Sequence, residues 1–337
     1  MSDRAKTLHK ESIIIEGCGY ATRTKYLEEF VEDLLDVGVA AANITCVAHE
    51  EGPLESIKKI EEWHRSIDRC SDKLMLVKAG SDIEKAKKEG KLGVILHAQN
   101  ATIIGNDLNL LGTFKRLGIK IIQLSYNRQN LLGEGCGERT DSGLSTFGIE
   151  VVKEMNRLGL VIDLSHCAYQ VTMDAIKYSK APVLFTHANP RALVDHIRNK
   201  TDEQIKALAK NGGVMGICAY APLVTKVTRP TWAEFLDLID YVVKLVGPDH
   251  VGLGLDFSLW TQEEYEEWVK DNPNLVPQGP QYGWTWRAIF VNDQGLAEYS
   301  QVFQITEGLI ARGYSDQDIK KILGLNLLRV YKEVWGK

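Results

Sequence analysis

Several features are missing from this sequence, and each absence excludes something. No apolar run reaches the roughly 18–20 residues needed to cross a bilayer, so no spanning helix and no membrane partner are expected. The opening residues, Met1 to Glu11, are polar and charged and do not resemble a secretory leader. Basic charge is not in excess, with 40 Lys and Arg against 45 Asp and Glu and a net charge of −5. Electrostatic binding of nucleic acid needs a basic footprint, so no nucleic-acid partner is expected. Only six cysteines occur in 337 residues, and none form a CxxC. That is no disulfide framework, and it fits a reduced, cytoplasmic protein. No GxGxxG follows the first apolar run and no GxxxxGK[ST] occurs, which leaves out the usual dinucleotide and phosphate loops. Repeats, low-complexity tracts and linkers are also lacking, so residues 1–337 read as a single domain.

What the sequence does contain is an alternation. Short runs rich in Val, Ile and Leu occupy Ser12–Glu16, Ala42–Val47, Leu92–Ala98, Lys120–Tyr126, Leu160–Ser165, Val183–His187, Gly213–Ala219 and His250–Asp256. Most are continuously apolar, as strands buried on both faces are. Lys73–Lys78 is a further short run. Amphipathic stretches lie between them: Tyr26–Asp36 after Thr24, Glu55–Asp68, Ser81–Glu89, Ser145–Leu158, Gln170–Ser179, Asp202–Lys210 and Trp232–Val246. Helices near Tyr299–Ala311 and Asp316–Val334 close the chain. Eight strands each followed by a helix predict an α/β fold, the (β/α)8 or TIM barrel. Residues 258–293 show no clear period and carry Trp260, Trp284, Trp286 and three prolines. A loop of that length reads as a lid-like insertion.

Barrel chemistry sits at the C-terminal ends of the strands, and here those ends are polar. They read Gly17-Cys18-Gly19-Tyr20, His97-Ala98-Gln99-Asn100, Ser125-Tyr126-Asn127, Asp163-Leu164-Ser165-His166, Thr186-His187 and Gly254-Leu255-Asp256. Two histidines and an aspartate on one rim suit either metal ligation or acid–base work. His9, His49, His64, His196 and His250 have bland contexts. Cys46, Cys70, Cys167 and Cys218 read as buried small apolar residues, and Cys136 lies in a glycine-rich loop.

These motifs together resemble a known family. Val161-Ile162-Asp163-Leu164-Ser165-His166, Ala181-Pro182-Val183-Leu184-Phe185-Thr186-His187, Arg198-Asn199 and Val251-Gly252-Leu253-Gly254-Leu255-Asp256-Phe257 are similar to segments of the membrane (renal) dipeptidase family of zinc peptidases. So are Gly143 to Gly148, Glu154 to Arg157 and the closing Gly324 to Val330. The resemblance implies a barrel of the metal-dependent hydrolase type that cleaves dipeptides, homodimeric, with two zinc ions. It maps His166 and His187 onto the histidines of one zinc site. Arg198 falls on the arginine that grips the substrate carboxylate, and Asp256 on the acid that shuttles the proton.

The chain departs from that pattern at the other zinc. The family's His-x-Asp on the first strand is here Cys18 and Tyr20, its bridging Glu is Gln99, and its substrate-polarising His is Tyr126. A neutral amide does not offset the repulsion of two cations as a carboxylate does. The expectation is therefore one Zn²⁺ or other divalent metal, or none. Three functions remain open: a dipeptidase-like hydrolase acting on a small carboxylate-bearing amide at a one-metal site, a metal-free hydrolase, lyase or isomerase using Cys18, His166, His187 and Asp256, with Cys18 as nucleophile or the histidines and Asp256 as acid and base, and a non-catalytic binding member. The residues assigned are Asp256, Cys18 and Tyr126 to catalysis, Arg198, Tyr20, Gln99, Asn100 and Asn127 to substrate, and His166 and His187 to metal. Cys18 is read as nucleophile, ligand or space-filler.

Overall fold

A ring of parallel strands forms because each apolar run is buried on both faces. The computed structural model describes residues 2–20, 27–47, 49–226, 230–258 and 299–336. Its strands are β1 (Ile14–Tyr20), β2 (Val39–Val47), β3 (Leu74–Leu76), β4 (Leu92–Ala98), β5 (Ile119–Gln123), β6 (Val161–Asp163), β7 (Leu184–Ala188), β8 (Val214–Ile217), β9 (Val251–Leu253) and β10 (Phe257–Ser258). The pairing order is β10-β1-β2-β4-β5-β6-β7-β8-β9, with β3 added beside β4. Because β9 runs on into β10 through Gly254–Asp256, and β10 pairs with β1, the eighth position closes the ring.

Helices pack outside it: α1 (Asp3–Glu11), α2 (Leu27–Asp36), α3 (Pro53–Arg69), α4 (Gly80–Glu89), α5 (Leu110–Arg116), α6 (Thr146–Leu158), α7 (Tyr169–Tyr178), α8 (Asp202–Lys210), α9 (Ala221–Val224), α10 (Trp232–Val246), α11 (Phe303–Ala311), α12 (Asp316–Lys320) and α13 (Asn326–Trp335). Local chemistry sets their starts. Ser145 accepts the Gly148 N–H ahead of α6, and Thr201 with Gln204 and Thr231 with Glu234 form capping boxes on α8 and α10.

The expected strands and helices are all present where the structure is described. Three departures stand out. Residues read only as polar form α1, which is capped by Ser2 and buries Ala5, Leu8 and His9. Leu110–Arg116 is an additional helix. The single closing helix expected over Asp316–Val334 is broken by a π turn at Lys321–Leu325. Gly324 there lies against the Ile13 carbonyl, where an added Cβ would sit 2.2 Å from the oxygen. The lid-like segment falls outside the described residues beyond residue 258, as does the proposed cap Thr24.

Inside the ring the side chains change character along the strand axis. Ile95, Ile121, Val161, Leu184 and Val214 fill an apolar floor, sealed by Leu327 and Tyr331 of α13. Two residues further along, the inward positions become His97, Gln123, Asp163, Thr186 and, across the ring, Glu16, all buried. Side chains alternate along a strand with period two, so an apolar floor and a polar layer above it are one pattern. Near the mouth the ring is pinched. Gly17, Gly216 and Gly254 all approach the Thr186 carbonyl oxygen, and a Cβ at Gly254 would lie 1.8 Å from it. That close approach needs glycine, and it draws Cys18, His187 and Asp256 together.

Candidate active site

The centre of the mouth is a pair of imidazoles. His166 Nε2 lies 2.8 Å from His187 Nε2. The partners of each ring fix its tautomer. Asp163 can only accept, and it takes the Thr186 hydroxyl at 2.8 Å and the Ser165 hydroxyl at 2.6 Å. The Thr186 proton is thereby used, so the His187 Nδ1 at 2.8 Å from Thr186 Oγ1 must donate. His166 Nδ1 lies 2.8 Å from the Asn127 amide oxygen and donates to it. Both Nε2 atoms are therefore bare and point at each other. Burial, followed by the nearby Arg198 cation, holds both rings well below the usual imidazole range, so they are neutral.

Asp163 anchors this arrangement from below. Burial pushes its carboxyl up, but contacts to His97, His187 and Ser165 outweigh that and keep it ionised. His97 Nε2 is 3.4 Å from its Oδ2, and both side chains are fully buried.

Beside the pair lie Cys18 and Asp256. One donor atom from each of Cys18, His187 and Asp256 lies within 4.8 Å of the others. The thiol points at Asp256 Oδ1 at 3.8 Å, and Gln99 Nε2 donates to Cys18 Sγ at 3.0 Å. Burial pushes the thiol well up, and Asp256, Asp163 and Glu16 add to it. A nucleophilic cysteine needs the opposite, a lowered pKa, so this environment does not favour the nucleophile reading. Burial raises Asp256 to about 6 against the pull of Arg198 and the Cys18 contact. Asp256 also adopts φ 58°, and Asn127 φ 55°, the two left-handed non-glycine residues among those described. Such strain concentrates at functional positions.

Glu16 ties the two strand ends together. Its Oε1 accepts the backbone N–H of Cys18 at 2.9 Å and of Leu255 at 2.7 Å. Burial raises its carboxyl to about 8, against these backbone donors.

The remaining expected residues divide. Arg198 is 7% exposed, and its guanidinium donates to the main-chain oxygens of Ser165 and His187. It therefore braces the strand ends that carry both histidines. Tyr126 is stacked between His49 and His166, with ring centroids 4.1 and 3.9 Å away. Asn127 orients His166. Asn100 turns toward the rim loops, donating to the His49 carbonyl and accepting from Asn130. Tyr20 ends β1, and its side chain lies outside the described residues. Cys136 Sγ is 3.4 Å from the Asn127 amide oxygen.

Sequence reasoning passed over Glu16, Lys200 and His49 and left the part played by Asp163 and Thr186 unread. A charged Glu16 within an apolar strand was a visible signal. So was Lys200, two residues from Arg198, whose buried ammonium donates to the carbonyls of Leu164 at 2.8 Å and Cys167 at 3.0 Å. His49 gave no sign, because its place in the stack follows from the loop after β2.

The family model described as Membrane dipeptidase (Peptidase family M19) matches residues 3–289 and 282–335. The chain belongs to this family. A dipeptidase of Claviceps purpurea is 28% identical over 291 residues, covering 85% of this chain and 61% of that protein. An uncharacterized dipeptidase of Schizosaccharomyces pombe is 30% identical over 287 residues, covering 83% and 62%. The chain thus spans about six-tenths of the length of these curated relatives. A crystal structure of an amidohydrolase from Pseudomonas aeruginosa superposes with a TM-score of 0.89 and 35% identity, covering 99% of each chain.

Membership of a metallopeptidase family raises the question of which metal arrangement these residues fit. A two-ion site does not fit, because Gln99 turns an N–H donor, not a carboxylate, into the mouth. A single cation fits. Two bare, neutral imidazole nitrogens face each other, with a carboxylate and a sulfur alongside, and facing lone pairs repel unless a cation lies between them.

Proposed function

We propose that the protein is a dipeptidase-like hydrolase that cleaves a small carboxylate-bearing amide or dipeptide at a one-metal site. The observation that carries this reading is the facing pair of bare Nε2 atoms on His166 and His187, beside Asp256, in a chain of the membrane dipeptidase family. A divalent ion held there would supply Lewis acidity to the scissile carbonyl and to water. Asp256 takes the proton from the attacking water and returns it to the leaving amine. A carboxyl poised near 6 does both at neutral pH. Asn127 and Thr186 hold the two imidazoles in their donor-free orientation. A guanidinium has five N–H donors, and with Arg198 bonded to the main-chain oxygens of Ser165 and His187, others remain for a substrate carboxylate. Tyr126 keeps one wall of the mouth flat and apolar through its stack on His166.

Homodimerisation and cytoplasmic residence belong to the same reading, and light scattering and cell fractionation test them. No helix among the described residues is long and apolar enough to cross a membrane. The function itself is tested by incubating protein reconstituted with one equivalent of divalent metal with a panel of L,L- and L,D-dipeptides and following free amine. Turnover that disappears on chelation supports the proposal. Ligand-induced thermal stabilisation without turnover across the panel points instead to a binding protein.

A further inference from the structure

We propose that Cys18 is itself a metal ligand, supported as a thiolate by the amide of Gln99, so that the site selects a thiophilic cation such as Zn²⁺, Co²⁺ or Cd²⁺ over Mg²⁺ or Mn²⁺. The inference rests on the one-metal reading and gives that site three protein ligands, His166, His187 and Cys18, with Asp256 beside the open position as the proton carrier. Three observations carry it.

The first is placement. The Cys18 sulfur, a His187 ring nitrogen and an Asp256 oxygen all lie within 4.8 Å of one another, and His166 Nε2 is 2.8 Å from His187 Nε2. Metal–ligand bonds of roughly 2.0–2.3 Å bring tetrahedral donors to spacings somewhat below 4 Å. Small side-chain shifts therefore close the sulfur and the two imidazole nitrogens on one ion, with the Asp256 carboxylate beside it.

The second is the Gln99 contact. Its Nε2 donates to Cys18 Sγ at 3.0 Å. A neutral thiol sulfur is a weak acceptor, and an N–H donor aimed at it at this distance suits a sulfur that carries charge. Hydrogen bonds of this kind orient and tune ligands in metal sites. The main chain at Gln99 is held in place, because its backbone carbonyl accepts the Gln123 side-chain amide at 2.6 Å.

The third is the lack of any other stabiliser. Among the described residues the sulfur's hydrogen-bond partners are an amide and a carboxylate, with no cationic side chain bonded to it. A cation in the mouth supplies what is missing. Thiolate and carboxylate together balance a divalent charge, and the imidazoles remain neutral. On binding, the S–H bond breaks, the sulfur–metal bond forms, and the proton leaves to solvent. Sulfur ligation favours Zn²⁺ and its soft neighbours over Mg²⁺ and Mn²⁺, which prefer oxygen.

The test is Co²⁺ titration of the chelator-stripped full-length protein, followed by absorption. Wild type should develop an intense near-ultraviolet thiolate-to-cobalt band together with visible ligand-field bands. Cys18→Ser should lose the near-ultraviolet band while still taking up Co²⁺, about tenfold or more weakly. Cys136→Ala and Cys218→Ala should each keep it, which shows that the neighbouring sulfurs are not its source. Gln99→Leu should shift the band, a readout that does not depend on Cys18→Ser folding. Wild type that shows ligand-field bands alone overturns the proposal and leaves the one-metal reading standing. No uptake of Co²⁺ or Zn²⁺ by wild type overturns both. Binding of Mn²⁺ as tight as that of Zn²⁺ overturns the claimed selectivity.

Discussion

The hydroxyl of Thr186 stands between Asp163 and His187, 2.8 Å from each, and it leaves His187 Nε2 without a proton. The residue therefore supports the proposed metal site without touching it. Thr186→Val keeps the shape and removes the relay. We expect metal affinity to fall about 10- to 100-fold, the usual cost of losing such a support, measured by competition with a chromogenic chelator. Unchanged affinity would mean that the tautomer of His187 is set by something else.

Asp256 should govern the acid side of the pH profile. Its carboxyl is raised to about 6 by burial. It accepts a proton only when ionised, so kcat/KM should fall as pH drops below about 6. Asp256→Asn should lower kcat by about 10²- to 10⁴-fold, the usual range for a lost acid–base group, and should abolish the acidic limb. A limb that survives in the variant would assign it to another group.

The barrel and the position of its mouth were legible because strands buried on both faces show as apolar runs and because their ends change abruptly to polar residues. His166, His187 and Asp256 were visible for the same reason. The supports were harder to read. Asp163 and Thr186 lie in those same motifs, but the sequence does not say that the two side chains meet inside the ring. The part Arg198 plays was expected at the substrate, whereas its main-chain bonds are to Ser165 and His187. Those partners come together only when β6 and β7 lie side by side. Lys200 is a comparable case, since a lysine is almost never fully buried without partners, and its partners here are carbonyls, which no sequence displays.

Glu16 should make stability fall as pH rises. Its folded value of about 8 is raised above the ordinary 4.5 by burial. Between those two values the native state holds a proton that the unfolded chain has released, so the contribution is fully present below about pH 4.5 and is lost as pH climbs through 8. Converted at about 1.4 kcal/mol per unit, the effect is at most about 5 kcal/mol. Glu16→Gln keeps the acceptor for the Cys18 and Leu255 N–H groups without the titration. Urea midpoints of the metal-free protein from pH 5 to 9 should slope downward in wild type and flatten in the variant. Parallel slopes would remove Glu16 from the account.

Gly254 tests whether the pinch of the ring, and not the ligands alone, assembles the site. A methyl group there would meet the Thr186 carbonyl oxygen at 1.8 Å and its carbon at 2.8 Å, both main-chain atoms that cannot rotate away. β7 and the segment leading to Asp256 must then part. Overpacking of this kind costs about 1–3 kcal/mol or more, so Gly254→Ala should lower the melting temperature by several degrees. Separation of His187 from Asp256 should weaken metal binding and lower kcat together. A variant with a lowered melting temperature but wild-type metal affinity would show that the strands part without opening the site, and the pinch would then serve closure of the barrel alone. The same substitution at Gly247, where a Cβ meets nothing within 4 Å, controls for loss of glycine as such, although its φ of 89° carries a strain of its own. It should leave metal affinity and kcat at wild-type levels, because that turn lies before β9 and away from the mouth.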